Sequence, residues 1–378
     1  MSSSAPPPKT KRRQVLVYLF GSLGDSIVAI PALRAVRRHF PDAEIAMLQN
    51  FQAGHIVVAS QVIPSGLVDR YLNYNSLNGR TGRVAGFAGL WLKLRRERFD
   101  AAVYLVLSER PERSVARDRM FFRSCGIKEL YGFNAYSPEQ LYPLDNDGHP
   151  AMVSHEAVRK IERLESDGIL GIPSDLQVPL LEHSESELNE IDAWLNESRK
   201  RPEARLISLG PGCKSPANAW PLEHFVQIGS RLLAERDCEI VVVGGPQERE
   251  MGEKLIADWG SGINAAGQFS VKESGALLSR CDVHIGLDTG TTHLAAVAGT
   301  RCFVIFGERA NPGLWYPLGP GHTVVYHKVA CAGCRVQECP VPGHPCMNGI
   351  TFDAVWHHLN EFLDENDSDD GPICVIPV

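Results

Sequence analysis

Short apolar, β-branched runs recur along the chain at 15–20, 44–48, 101–107, 206–209, 239–243, 283–287 and 302–306, with helical periodicity between them. Between the first two, the segment 25–40 carries Ile27, Ile30, Leu33, Ala35 or Val36, and Phe40 at near-helical spacing, with Pro31 inside the expected helix. Alternation of this kind predicts an α/β protein with parallel sheets covered by helices on both faces. The alternation falls into two blocks, one over 14–181 and one over 204–350. The intervening 182–203 is strongly charged, with Glu185, Glu187, Glu190 and Glu197 ahead of Arg199-Lys200-Arg201, and predicts a linking surface helix. The last stretch, 351–378, is expected to be a helix followed by an acidic tail that includes the run 364–370. Two such domains would form a central cleft at the carboxyl ends of their strands.

A chain of 378 residues has room for two cores. The formal net charge of −7 argues against nucleic acid as a partner. No apolar run approaches the roughly 20 residues of a membrane-spanning helix. Basic residues at 9–13 ahead of the run 15–20 imitate a secretion signal, but Asp25 interrupts the apolar stretch. The expectation is a short tail over 1–11, then a buried strand, in a cytoplasmic protein. Six of the ten cysteines are scattered singly and read as buried thiols.

Each block opens with a small-residue turn after its first strand. In the first it is Phe20-Gly21-Ser22-Leu23-Gly24-Asp25-Ser26, where glycine allows close backbone approach by a ligand. Asp25 is there either a helix N-cap or a carboxylate in the cleft able to accept a proton. In the second it is Gly210-Pro211-Gly212-Cys213-Lys214-Ser215, whose backbone donors and single lysine suit a polyphosphate without the spacing of a Walker A loop. Trp220-Pro221 then starts a helix. Strand 239–243 ends in Gly244-Gly245-Pro246-Gln247-Glu248, and Glu248 is either a first-turn helix acid or an acceptor for ribose hydroxyls. The most telling stretch is Asp288-Thr289-Gly290-Thr291-Thr292-His293, between a buried strand and the alanine-rich helix from Leu294. A strand, an acid and a small-residue turn opening a helix present backbone N–H groups to a phosphate, although a plain N-cap gives the same pattern.

Taken in order, these segments resemble the glycosyltransferase family 9 group, which contains the ADP-heptose:lipopolysaccharide heptosyltransferases. The resemblance covers most of the chain, from Val15 to about Ile350. Its most specific parts are Gly24-Asp25 before Pro31-Ala32-Leu33, Trp220-Pro221, Gly245 to Glu248, and Asp288-Thr289-Gly290 with His293. It implies the GT-B architecture, two Rossmann-like domains facing a cleft, with the acceptor on the first and the nucleotide-sugar on the second. It implies inverting transfer of a sugar, heptose first among candidates, with no catalytic cofactor. Asp25 would be the general base and Gly24 would lie at the acceptor. Gly210, Gly212, Lys214, Asn218, Asp288, Thr289, Gly290 and His293 would hold the donor, and Glu248 its ribose. Members of the family commonly carry a lysine two residues before Trp-Pro, where this chain has Asn218; Lys214 is the expected substitute, with Arg301 and Lys272 behind it. Two other readings share the frame: a nucleotide-sugar epimerase and a non-catalytic nucleotide-sugar-binding protein.

Cys331, Cys334, Cys339 and Cys346 lie within sixteen residues among prolines and glycines, beside His344. Their turns suit a structural zinc or iron ion, or else a set of reduced thiols or disulfides. Similar cysteine-rich loops occur in part of the family, one related autotransporter class carrying iron there. The stretch 80–123 is basic; most of its arginines pair with neighbouring acids on solvated helix faces, but Arg110 and Arg113 follow a buried strand. They are the candidates for an anionic acceptor, whether a glycan, a lipid-linked sugar or a protein. Peripheral contact with the inner face of a membrane and homo-oligomer formation complete the expectation for partners.

Overall fold

Strand β1 (Gln14–Tyr18) sits in the middle of the first sheet because both its faces are apolar: Val15, Leu16 and Val17 are fully buried. The computed structural model describes residues 12–50, 59–74, 80–365 and 371–378. The expected tail over 1–11 and positions 366–370 of the acidic run lie outside the described residues, as do the side chains of Arg80 and Arg83. Around β1 are β2 (Glu44–Asn50), β3 (Arg70–Tyr74), β4 (Ala101–Tyr104) and β5 (Glu129–Tyr131), in the order β3-β2-β1-β4-β5, all parallel.

The second sheet comprises β6 (Arg205–Gly210), β7 (Cys238–Val242), β8 (Ile263–Asn264), β9 (Val283–Leu287), β10 (Arg301–Phe306), β11 (Thr323–Tyr326) and β12 (Cys374–Pro377). Its order is β12-β11-β10-β9-β6-β7-β8, again all parallel. The strand order reverses beside β1 in one sheet and beside β6 in the other. Ligands of open parallel sheets bind in the crevice at such points.

Strands β3, β5, β8, β11 and β12 come in addition to the seven expected runs, and three expected segments take another form. The helix over 25–40 is two helices, Leu23–Ile27 and Ile30–His39. Pro31 opens the second, in the first turn where its missing N–H leaves no bond unmade. The charged helix Glu185–Ser198 is capped by Ser184 and Glu187, yet it buries Ile191 and Leu195, so it is part of the packing as well as a link. At the carboxyl end, the helix Phe352–Asp364 is followed by β12, which pairs with β11 where a tail was expected.

The two sheets are tied together. One apolar core runs from Val15 and Val17 through Ile27 and Leu33 to Leu294, Ala295 and Val297. Segment 311–316 docks on the first half: Val153 N donates to Pro312 O at 2.9 Å and Glu156 N to Leu314 O at 3.0 Å. His155 accepts from Ala157 N on Nδ1 (3.1 Å), so its Nε2 carries the proton that bonds Tyr316 O at 3.0 Å.

Candidate functional site: a cleft between the two sheets

A cavity of about 550 Å³ opens where the carboxyl ends of both sheets meet. Gly24, Asp25, Gly210, Gly212, Lys214, Asn218, Glu248, Asp288, Thr289, Gly290 and His293 all line it. Eleven expected site residues from four separate segments thus share one space. Arg110 and Arg113 do not line it. Arg110 is turned onto Asp118 (3.4 Å) and the Phe20 ring, and Arg113 is exposed on the first turn of the helix Glu112–Ser124. Glu109 takes the place at the rim. Of the further lysine substitutes, Arg301 is bonded to Gly321 O and Glu365, and Lys272 lines a separate pocket.

The first wall is the turn at the end of β1. Asp25 is the third residue of its short helix and Ser22 is the N-cap, so the simple N-cap reading of Asp25 does not hold. Asp25 Oδ2 accepts from Ser22 N and from Ser22 Oγ (2.8 Å), leaving Oδ1 with no protein partner among the described residues. Gly21, at φ +147°, makes this possible: a Cβ there would stand 2.3 Å from Asp25 Oδ2.

Behind this wall is a buried ionic group that the sequence pattern conceals. Lys160 donates to Glu156 Oε1 (2.9 Å) and Leu105 O (2.8 Å), and Glu156 accepts from Ser108 N and Oγ. Burial alone would raise Glu156, but the Lys160 ammonium and the Ser108 hydroxyl overrule it and hold the carboxyl below its usual range. Lys160 is lowered by burial against the pull of Glu156, and it also feels the Asp25 carboxylate. Glu156, Lys160 and Arg163 all stand on the helix Glu156–Glu165, and the tertiary fold turns them inward.

The second wall belongs to the second half. Thr289 is the N-cap of the helix Gly290–Val297, but its hydroxyl makes no cap bond, and Thr289 Oγ1 is buried with no partner. An ordinary cap would fill that bond; here the hydroxyl stays unpaired in a first turn, Thr289 to Thr291, that lines the cleft. Beneath, Thr292 Oγ1 donates to Leu287 O (2.7 Å) and accepts from His284 Nε2 (3.2 Å), which fixes the turn to β9. His284 is pushed to about 3 by burial and is a neutral spacer. His293 is likewise pushed to about 3, by burial and then by His155, so it faces the cleft as a neutral imidazole.

Asp288 does not cap the helix either. Asn218 Nδ2 donates to both Asp288 O and Asp288 Oδ2 at 3.1 Å, and Asn218 Oδ1 accepts from Arg309 Nη1 at 3.1 Å. Burial raises the Asp288 carboxyl to about 6, with Arg309 and Asn218 pulling the other way. Glu248 Oε2 accepts from Gly245 N at 2.7 Å, and burial raises this carboxyl too. Gly212 leaves room for it: a Cβ there would stand 2.2 Å from Glu248 Cγ. Trp220 is structural, buried in the second core with Nε1 donating to Ile350 O at 2.8 Å.

The cysteine-rich loop forms the rim. All ten cysteines are free. Cys339, Cys331 and Cys334 stand near enough to Cys346 to raise its already burial-raised thiol a little further. Their donor chemistry suits zinc or iron, but their spacing does not. Among the described residues, the one group with three ligand atoms within 4.8 Å of one another is His357, His358 and Glu361, at the surface. Thiolates sharing one ion at about 2.3 Å stand under about 4 Å apart.

The match to known proteins follows this geometry. The model of glycosyltransferase family 9 (heptosyltransferase) fits residues 89–344. The chain belongs to that family. Lipooligosaccharide heptosyltransferase 2 of Campylobacter jejuni is 22% identical over 358 residues, 93% of this chain and 98% of that one. Lipopolysaccharide core heptosyltransferase OpsX of Haemophilus influenzae is 20% identical over 313 residues, 79% of this chain and 80% of that one. Among solved structures, the Escherichia coli ADP-heptose LPS heptosyltransferase II superposes with a TM-score of 0.62 at 21% identity, over 93% of this chain and 98% of that one. A family 9 glycosyltransferase of Veillonella parvula gives 0.61 at 19% identity, over 81% and 83%. The fold of this glycosyltransferase is GT-B, two parallel-sheet halves about a cleft. Among the described residues no helix is long and apolar enough to cross a membrane.

Proposed function

We propose that this glycosyltransferase moves a heptose, with inversion, from a nucleoside-diphosphate heptose to an acceptor hydroxyl, ADP-heptose being the favoured donor. The first half would receive the acceptor and the second the donor. The observation that carries the reading is the juxtaposition of the Asp25 turn and the open N-terminus of the helix Gly290–Val297 across one cleft. Asp25 Oδ1 takes the proton of the acceptor hydroxyl as its oxygen attacks the anomeric carbon. The bond to the diphosphate breaks on the opposite face, and the charge that grows on the leaving group is met by backbone N–H groups and the Thr289 hydroxyl. Glu248 accepts from the ribose. The neutral His293 can donate to the sugar or diphosphate without adding charge.

The names of the relatives support a lipopolysaccharide-type acceptor. Contact with an anionic membrane surface is supported by the helices Arg80–Glu97 and Glu112–Ser124, which expose Phe87, Leu92 and Met120 together with Lys93, Arg96, Arg119 and Arg123. A structural zinc or iron in the four-cysteine loop requires the loop to close further around Cys346. Metal analysis of protein purified without added metal reads this directly: one ion per chain supports it, and metal-free protein with four titratable loop thiols removes it.

The test of the main reading is a binding screen of ADP-, GDP-, UDP- and dTDP-sugars, followed by transfer to candidate acceptors with the product's anomeric configuration read by NMR. Acceptor-dependent heptose transfer with inversion supports it. Donor turnover to an epimer without acceptor, or binding with no turnover, overturns it.

A further inference from the structure

We propose that Arg309 is the fixed cation of the diphosphate subsite, and that the cysteine-rich loop holds it there; the proposal rests on the reading of the cleft as a nucleoside-diphosphate-sugar site. The cleft is lined by four carboxylates, Asp25, Glu109, Glu248 and Asp288, which would repel a diphosphate. Three cations line it as well: Lys214, Arg309 and Arg335.

Arg335 is committed elsewhere. Its Nε bonds Glu109 (3.2 Å), Nη1 bonds Gly333 O (2.9 Å), Nη2 bonds Asn311 Oδ1 (2.9 Å), and its plane lies 3.5 Å from the Tyr142 ring centroid. Lys214 is exposed on a long unbranched tether and has no hydrogen-bond or ion-pair partner among the described residues. Ordering it on a ligand costs rotamer entropy.

Arg309 is different. Nε donates to Val336 O at 2.7 Å and Nη1 to Asn218 Oδ1 at 3.1 Å, while Nη2 has no protein partner among the described residues. Two bonds therefore freeze the guanidinium and leave one edge for a ligand. It stands one amide away from Asp288, the residue just before the open N-cap Thr289, and its charge pulls the Asp288 carboxyl down. A planar fork beside exposed helix N–H groups matches the spread oxygens of a diphosphate. The second anchor explains the loop: Val336 lies between Cys334 and Cys339, and its neighbour Gln337 accepts from Ser215 Oγ (2.9 Å) and Ala217 N (3.0 Å). The cysteine-rich segment is thus a wall of the donor site and sets where the cation stands.

The test is calorimetry on the full chain with ADP, GDP, UDP and dTDP, then with the tightest binder's monophosphate and nucleoside. Arg309→Gln keeps a donor for Val336 or Asn218 and removes the charge. The expected result is diphosphate affinity weaker by about tenfold with nucleoside affinity unchanged, a larger loss than Lys214→Ala produces. Diphosphate affinity that survives Arg309→Gln, or equal loss for diphosphate and nucleoside, overturns the assignment. If Arg309→Gln does not fold, Arg309→Lys serves: a reduced preference for diphosphate over nucleoside supports it, and an undiminished one overturns it. A wild-type chain that binds none of the four diphosphates refutes the donor-site reading itself.

Discussion

A Cβ on Gly24 would lie 3.1 Å from Cδ2 of His293, and one on Gly290 would lie 3.2 Å from Leu23 Cδ2. Two glycines, one from each half, let the Asp25 turn and the helix Gly290–Val297 meet without intervening side chains. Gly24→Val is therefore expected to separate the two walls and lower kcat by at least about tenfold, with a small change in melting temperature. Steady-state kinetics beside a thermal melt checks this; unchanged kcat would show that the close approach is dispensable.

With the Asp288 carboxyl raised to about 6 by burial, binding of a nucleoside diphosphate in this cleft should depend on pH. Below about 6 the carboxyl is protonated and adds no negative charge beside the diphosphate; above, it repels it. Nucleoside-diphosphate affinity should therefore rise as pH falls from 7.5 to 5.5, with proton uptake on binding, and Asp288→Asn should flatten the profile. Calorimetry in buffers of different ionisation enthalpy reads both. A flat wild-type profile refutes the coupling.

Glu248 and Gly212 form one unit, since any side chain on Gly212 meets the Glu248 stem. Gly212→Ala and Glu248→Ala should each weaken donor binding by about tenfold, and the double variant should be little worse than either. Additive losses in a binding cycle would mean that the two act separately.

Much of this site is readable in the chain because its parts sit at strand ends, where a buried run stops and small residues follow. Val283–Leu287 ends in Asp288, and Leu206 to Leu209 runs into Gly210. What the pattern hides has a physical cause in each case. β5 and β8 are only three and two residues long, too short for any period to register. Glu156 and Lys160 are buried by an ion pair that only the fold creates. Asn218 reads as a lost lysine, yet its amide is the two-way connector between Arg309 and Asp288. The signal for Arg309 is its place just after β10, at the carboxyl end of the sheet, but nothing in the chain foretells Val336 as its anchor.

Acid should unfold the protein from an unusually high pH. Burial pushes His155, His284, His293 and His322 to about 4, 3, 3 and 4. Each has its folded value below its unfolded one near 6.5, so the stability it contributes is present above 6.5 and is lost as pH falls toward the folded value. Each adds up to about 1.4 kcal/mol per pH unit to that slope. Denaturant melts at pH 7, 6 and 5 should show a steep loss, shallower in His322→Gln; equal stability at pH 7 and 5 would contradict it.

Asp25→Asn, measured for donor affinity and for turnover on the same preparation, asks most directly whether this cleft is an inverting transfer site with Asp25 as its base. The amide keeps the side chain's shape but cannot take the acceptor's proton. Donor affinity should stay within about twofold while kcat falls by about 10²-fold or more. Turnover at the wild-type rate, with the donor bound as before, would contradict the account.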